Sequence, residues 1–157
     1  MTSTAAIQEL ARQVRTDTRR LLAAAQPEWL TWAPEGTNNH LLWHAGHALW
    51  LGDVLGVQLL TGKSELPGGW AEFFGMNCLP VRQRKAWPQR TEVDQLLAQQ
   101  LARLLELLGA VDEAKLWQPV RGDTMAGRIL HGLHDEAKHQ GEMYLLLKLS
   151  RAHTLNP

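Results

Sequence analysis

Four stretches of this chain repeat apolar residues at intervals of three and four, and none alternates apolar with polar residues as a half-buried strand would. The first, from roughly Ser3 to Ala25, places Ile7, Leu10, Val14, Thr18, Leu21 and Leu22 on one helical face. Gln26-Pro27 and then Trp32-Ala33-Pro34-Glu35-Gly36 interrupt it, because proline removes a backbone donor and disfavours helix in the residue before it. Thr37-Asn38-Asn39 offers capping side chains for a second helix that runs to Thr61-Gly62. That helix is apolar around most of its circumference, so it is expected to be largely buried.

A third helix is predicted from the capping-box pattern Thr91-Glu92-Val93-Asp94 through Leu96, Leu97, Leu101, Leu104, Leu105 and Leu108 to Gly109. Asp123 or Thr124 can cap a fourth, continuing through Ile129, Leu130, Leu133, Ala137, Tyr144, Leu145 and Leu147 to about Ser150, with 151–157 as a frayed tail. The expected fold is all-α: an antiparallel four-helix bundle forming one domain over 1–157. A long connection, residues 62–90, joins helices two and three and carries Pro67-Gly68-Gly69 and a helical turn at Trp70 to Phe74.

Composition narrows the function. Sixteen Lys and Arg balance sixteen Asp and Glu, and no long basic run exists, the densest being Arg82 to Lys85, so a nucleic-acid partner is not expected. One cysteine, Cys78, rules out an internal disulfide framework and thiolate-rich zinc sites; it reads as a packed thiol rather than a nucleophile. No run of about 18 apolar residues occurs and the N-terminal segment is polar, so the expectation is a cytoplasmic protein with no membrane span or signal peptide.

Six of the seven histidines fall into two windows: His40, His44 and His47 on the second helix, and His131, His134 and His139 on the fourth. At about 100° per residue the first three lie within an arc of about 60°, on the side that also carries Trp43, Trp50, Leu51 and Val54. On the fourth helix His134 and His139 diverge by about 140°, which removes His134 from any shared site. Asp135 and His139 are separated by four residues, about 40° around the helix, and can converge on one ion; His131 lies a further turn back on the same edge. Glu136 competes with Asp135 for the carboxylate position, and His47, at the centre of its stripe, is the best third ligand from the facing helix. Three protein ligands leave open positions, the mark of a catalytic rather than a structural site. The run His134-Asp135-Glu136-Ala137-Lys138-His139 lacks the HExxH pattern of zinc proteases. The competing reading is plainer: histidines satisfied at the core edge, tryptophans as core filler, and Asp135, Glu136 and Lys138 as a solvated charged face.

Leu42-Trp43-His44-Ala45-Gly46-His47-Ala48-Leu49-Trp50 resembles the LLGHLAW signature on the second helix of the DinB-like (DinB/YfiT) superfamily. The run Leu130-His131-Gly132-Leu133-His134-Asp135-Glu136-Ala137-Lys138-His139-Gln140-Gly141-Glu142-Met143-Tyr144 resembles its HxxxHxGQI segment on the last helix. The resemblance implies a four-helix bundle, often a homodimer, holding zinc or nickel through three side chains, here His47, Asp135 and His139. It also implies a small-molecule substrate and, in several members, a low-molecular-weight thiol handled by an S-transferase or isomerase. Asp135 departs from the histidine many relatives carry at that position and matches the carboxylate of the thiol-dependent maleylpyruvate isomerase branch; His131 or Glu136 could take its place. His44 and His131 would then orient ligands or carry protons, as catalytic residues around the ion. A water- or thiol-activating metalloenzyme is one expectation; a non-catalytic stress-response or interaction bundle with a structural or vacant metal site is the alternative.

Overall fold

The computed structural model describes residues 2–76, 86–120 and 122–155; Cys78 and the Arg82 to Lys85 run lie outside them. Four long helical rods form an antiparallel all-α bundle. Helix α1 spans Ser3–Ala24, with Thr2 Oγ1 accepting from Ala5 N–H at its start. It ends where Ala25 turns extended ahead of Pro27, and a 3-10 turn at Pro27–Trp29 follows.

Helix α2 spans Leu41–Gly52 and is capped by His40, not by the Thr37-Asn38-Asn39 run. His40 Nδ1 accepts from Trp43 N–H at 3.0 Å, an imidazole lone pair doing what a Ser or Asn oxygen usually does. Thr37 instead donates its hydroxyl to Pro34 O in the preceding turn. The rod continues through a π turn at Asp53–Val57 into α3 (Gln58–Thr61) and stops at Gly62, whose φ of 84° closes the left-handed C-cap.

The long connection contains α4 (Trp70–Phe74), as the sequence suggests. It packs on α2 at Gly46, where an added Cβ would lie 2.3–2.6 Å from carbons of the Phe74 ring. Gly46→Ala is therefore expected to push α4 outward and lower unfolding free energy by about 1–3 kcal/mol, read as an earlier urea midpoint with an unchanged slope.

Helix α5 spans Arg90–Ala110, so Thr91 lies inside the helix and the predicted capping box does not form. Asp94 is drawn away by the Arg19 guanidinium, which grips it at 2.7 and 2.9 Å. That contact holds the Asp94 carboxyl below its ordinary range, although burial opposes the shift. A short helix α6 (Glu113–Leu116) leads to a two-residue antiparallel ladder, β1 (Pro119–Val120) with β2 (Asp123–Thr124). Thr124 then caps α7 (Met125–Leu155) by accepting from Gly127 N–H. This helix runs five residues beyond the expected Ser150, because Trp29 Nε1 donates to Thr154 Oγ1 and Trp32 stacks on His153.

Two apolar clusters fill the bundle. One gathers Leu21, Leu22, Leu42, Trp43, Trp70, Phe74, Val93, Leu97, Met143 and Leu146; the other gathers Ile7, Ala11, Leu104, Leu108, Ile129 and Leu133. Between these positions along α1, α5 and α7 lie Arg15, Thr18, Gln100 and Glu136, all buried. Arg15 Nη2 donates to Glu136 Oε2 and to Gln100 Oε1, each at 3.0 Å, and Thr18 donates to Glu136 Oε1 at 2.6 Å. Gln100 in turn donates to Leu49 O on α2, so one polar layer ties all four rods. Gly52 makes room for it: a Cβ there would lie 2.4 Å from Gln100 Oε1. The buried face of α7 accordingly runs Ile129, Leu133, Glu136, Met143, Leu146, leaving Ala137, Tyr144 and Leu145 exposed, contrary to the apolar periodicity read from sequence.

Candidate metal centre

The two histidine windows meet where α2 faces α7. His44, almost fully buried, lies with its Nδ1 2.9 Å from His139 Nδ1 and its Nε2 3.2 Å from Glu142 Oε2. Glu142 Oε2 is also 3.9 Å from His139 Nδ1. One donor atom each from His44, His139 and Glu142 lies within 4.8 Å of the others, close enough to hold one metal ion. Glu142 was not singled out by the sequence argument, although it sits three residues after His139 and meets the same spacing rule in the other direction.

His47 is buried beside this group, its ring centroid 4.7 Å from that of His139. Its Nδ1 bonds to the Phe74 carbonyl, so Nδ1 carries the proton and Nε2 keeps its lone pair. Trp43 stacks on the His47 ring at 4.6 Å and 14°, fixing its plane. A carbonyl behind one imidazole nitrogen and a flat wall beside the ring are the supports a ligating histidine needs. The long connection thus has a local purpose: α4 supplies the carbonyl, and the buried Trp70 donates to Gly46 O at 3.0 Å to hold α4 in place.

Asp135 is partly exposed and paired with His131 Nε2 at 3.2 Å and Lys138 Nζ at 3.0 Å. The edge formed by His131, Asp135 and His139 is present, with His131 at its solvent end. Glu136 does not share it. Its carboxylate points into the polar layer, with Arg15 Nε 3.0 Å from Oε1 as a charge contact beside the bonds from Arg15 Nη2 and Thr18, so neither oxygen is free for an ion. His134 is exposed, and His40 caps α2.

Burial sets the protonation of the group. It pushes His44 down to about 3, with the neighbouring His139, His47 and His40 adding to the shift, and it pushes His40 down to about 4. His47 and His139 are lowered by burial as well; the Phe74 carbonyl opposes this at His47 and the Asp135 carboxylate at His139. All four rings are neutral near pH 7, the form that offers a lone pair to a metal. In the unfolded chain the same rings take up protons near 6.5, so below that pH the unfolded state binds more protons. The stability due to His44 and His40 is complete above about pH 6.5 and is lost as pH falls toward 4 and then 3. Metal-free protein is expected to weaken by about 1.4 kcal/mol per pH unit for each ring over that interval, measured as urea midpoints from pH 7 to 4.5.

Imidazole nitrogens with one carboxylate, contributed by two facing rods of an all-α bundle, define a helical protein with a site suited to a divalent ion of intermediate hardness. The chain belongs to the DinB superfamily, whose family model matches residues 10–143. Its fold is similar to a crystal structure of a conserved protein of Enterococcus faecalis, with a TM-score of 0.64 at 20% identity over 95% of this chain and 97% of that one. No curated relative matches the chain.

Proposed function

We propose that the protein is a divalent-metal-dependent enzyme that activates water or a small thiol. The observation that carries this reading is the convergence of neutral imidazoles, buried on α2 and partly buried on α7, on one carboxylate-flanked point. His139 is common to two ligand sets. One is His47, Asp135 and His139, in which His47 is already oriented by Phe74 O and Asp135 must leave Lys138. The other is His44, His139 and Glu142, whose donor atoms are already close. Zinc or nickel suits either set. When bound, the ion would supply Lewis acidity, drawing a water or thiol toward its anion near neutral pH. In the first set His44 is left to hold or pass a proton between His139 and Glu142, and His131 to hold the Asp135 carboxylate. The resemblance of the two histidine motifs to those of thiol-dependent members favours an S-transferase over a hydrolase, and a homodimer.

A second reading is favoured by one observation: His44, His47 and His139 already satisfy their inward-facing nitrogens among themselves, Glu142 and Phe74 O, as polar plugs in a non-catalytic bundle would. Metal analysis separates the two. Protein purified without an affinity tag is expected to carry close to one equivalent of zinc or nickel per chain; no metal, and no uptake on dialysis against either ion, would leave the second reading.

A further inference from the structure

Next to the histidine cluster a pocket of about 320 Å³ opens between α7 and the segment leading into α2. Leu145, Leu146 and Leu149 form one wall, Pro34 and residues 37–39 the other, and His44 with Glu142 reaches it from the metal centre. Leu145 and Leu149, four residues apart on one helical face, are 54% and 39% exposed. Leaving two leucines open to water is unfavourable by the transfer free energy of their side chains, so a concave apolar wall beside reactive groups reads as a binding surface. Opposite them Asn38 and Asn39 carry amides that form no side-chain hydrogen bond among the described residues, the polar pair that would fix a ligand's orientation.

The charge of the lining selects the ligand. Among the described residues no Lys or Arg lines the pocket and Glu142 is its one ionisable acid, so in the metal-free protein a phosphate or carboxylate would meet repulsion with no side-chain cation among them to offset it. A pocket of about 200 Å³ elsewhere has the opposite character: Asp53, Glu65 and Arg103 line it, but Asp53 accepts from Glu65 N–H and Arg103 forks onto Glu65, so its charged groups already have partners.

From this we infer that the leucine pocket binds an uncharged small molecule, an aliphatic or aryl body against Leu145, Leu146 and Leu149 with a carbonyl or amide group at Asn38 and Asn39. Its reacting end faces His44 and Glu142, and that end alone rests on the function proposed above. The apolar recognition is independent of any metal.

Butanamide, hexanamide and octanamide titrated calorimetrically into metal-free protein provide the test. Affinity is expected to rise about two- to fourfold per added methylene. Leu149→Asp, at an already exposed position, is expected to flatten the series while leaving the far-ultraviolet circular dichroism and the mass in solution unchanged. A flat series with the wild-type protein would overturn the inference. So would Leu149→Asp that lowers the mass in solution and keeps the wild-type slope, since that assigns the leucine face to a second copy of the chain. Metal content of the same preparation is scored separately: a rising series without metal uptake retains the pocket and removes the metalloenzyme, and a flat series with full metal uptake does the reverse.

Discussion

Replacing Glu136 by glutamine is expected to lower the unfolding free energy by about 3–5 kcal/mol, the usual cost of removing one partner from a buried ion pair. Arg15 and Glu136 are 3% and 2% exposed, so a guanidinium deprived of its carboxylate has no route to solvent in the folded state. The loss should be far smaller when both are exchanged for apolar residues of similar size, Arg15→Met with Glu136→Leu, because no charge is then stranded. Urea unfolding of Glu136→Gln and of the double variant measures this directly; a Glu136→Gln protein as stable as the wild type would mean that the layer is hydrated. The same variants bear on the candidate site. Glu136 and Gln140 flank His139 on α7 and both bond to α1, Gln140 through Val14 O and Thr18. Their bonds fix the rotation of α7 that turns His139 toward α2.

His139→Ala is expected to abolish stoichiometric metal binding, weakening affinity by more than the roughly 10- to 100-fold typical of losing a supporting residue. His139 belongs to both ligand sets, so this result alone does not choose between them. Asp135→Asn and Glu142→Gln do: the one that reproduces the His139→Ala loss in zinc or nickel titrations marks the carboxylate that binds. Neither change lies in the core, since Asp135 is half-exposed and Glu142 is exposed, and unfolding curves are expected to stay close to wild type. A His139→Ala protein that keeps a full equivalent of metal would remove the centre proposed here.

Helix positions were legible because each rod buries one face, and burial leaves a period of three and four in the sequence. The misread details are those in which a side chain met something distant. His40 was passed over as a cap because capping preferences rank oxygen acceptors, yet an imidazole Nδ1 accepts as well. Glu136 looked like part of a solvated charged face, since its neighbours Asp135 and Lys138 pair locally; its own partners, Arg15 and Thr18, lie on the opposite end of the chain. Tyr144 and Leu145 fit the apolar period and are nonetheless exposed, because Glu136 and Met143 set the phase of the buried face. At the site, the meeting of α2 with α7 followed from two histidine stripes in a bundle. The carbonyl of Phe74 could not, because a backbone oxygen has no sequence signature.

The π turn at Asp53–Val57 gives the second rod a winding defect, one extra residue taken up without a break in the helix. Side chains on its two sides are therefore out of step with a single helical wheel, by about the 100° that one residue contributes. Upstream, the rod presents His44 and His47; within the defect, Leu55 comes so close to α7 that a Cβ on Gly132 would lie 3.1 Å from it. Asp53 at its start is buried and reaches back to Glu65 N–H, anchoring the chain where it leaves the bundle. The defect acts as a gear change, letting one continuous rod carry a histidine stripe for the first half of its length and a close-packed seam thereafter.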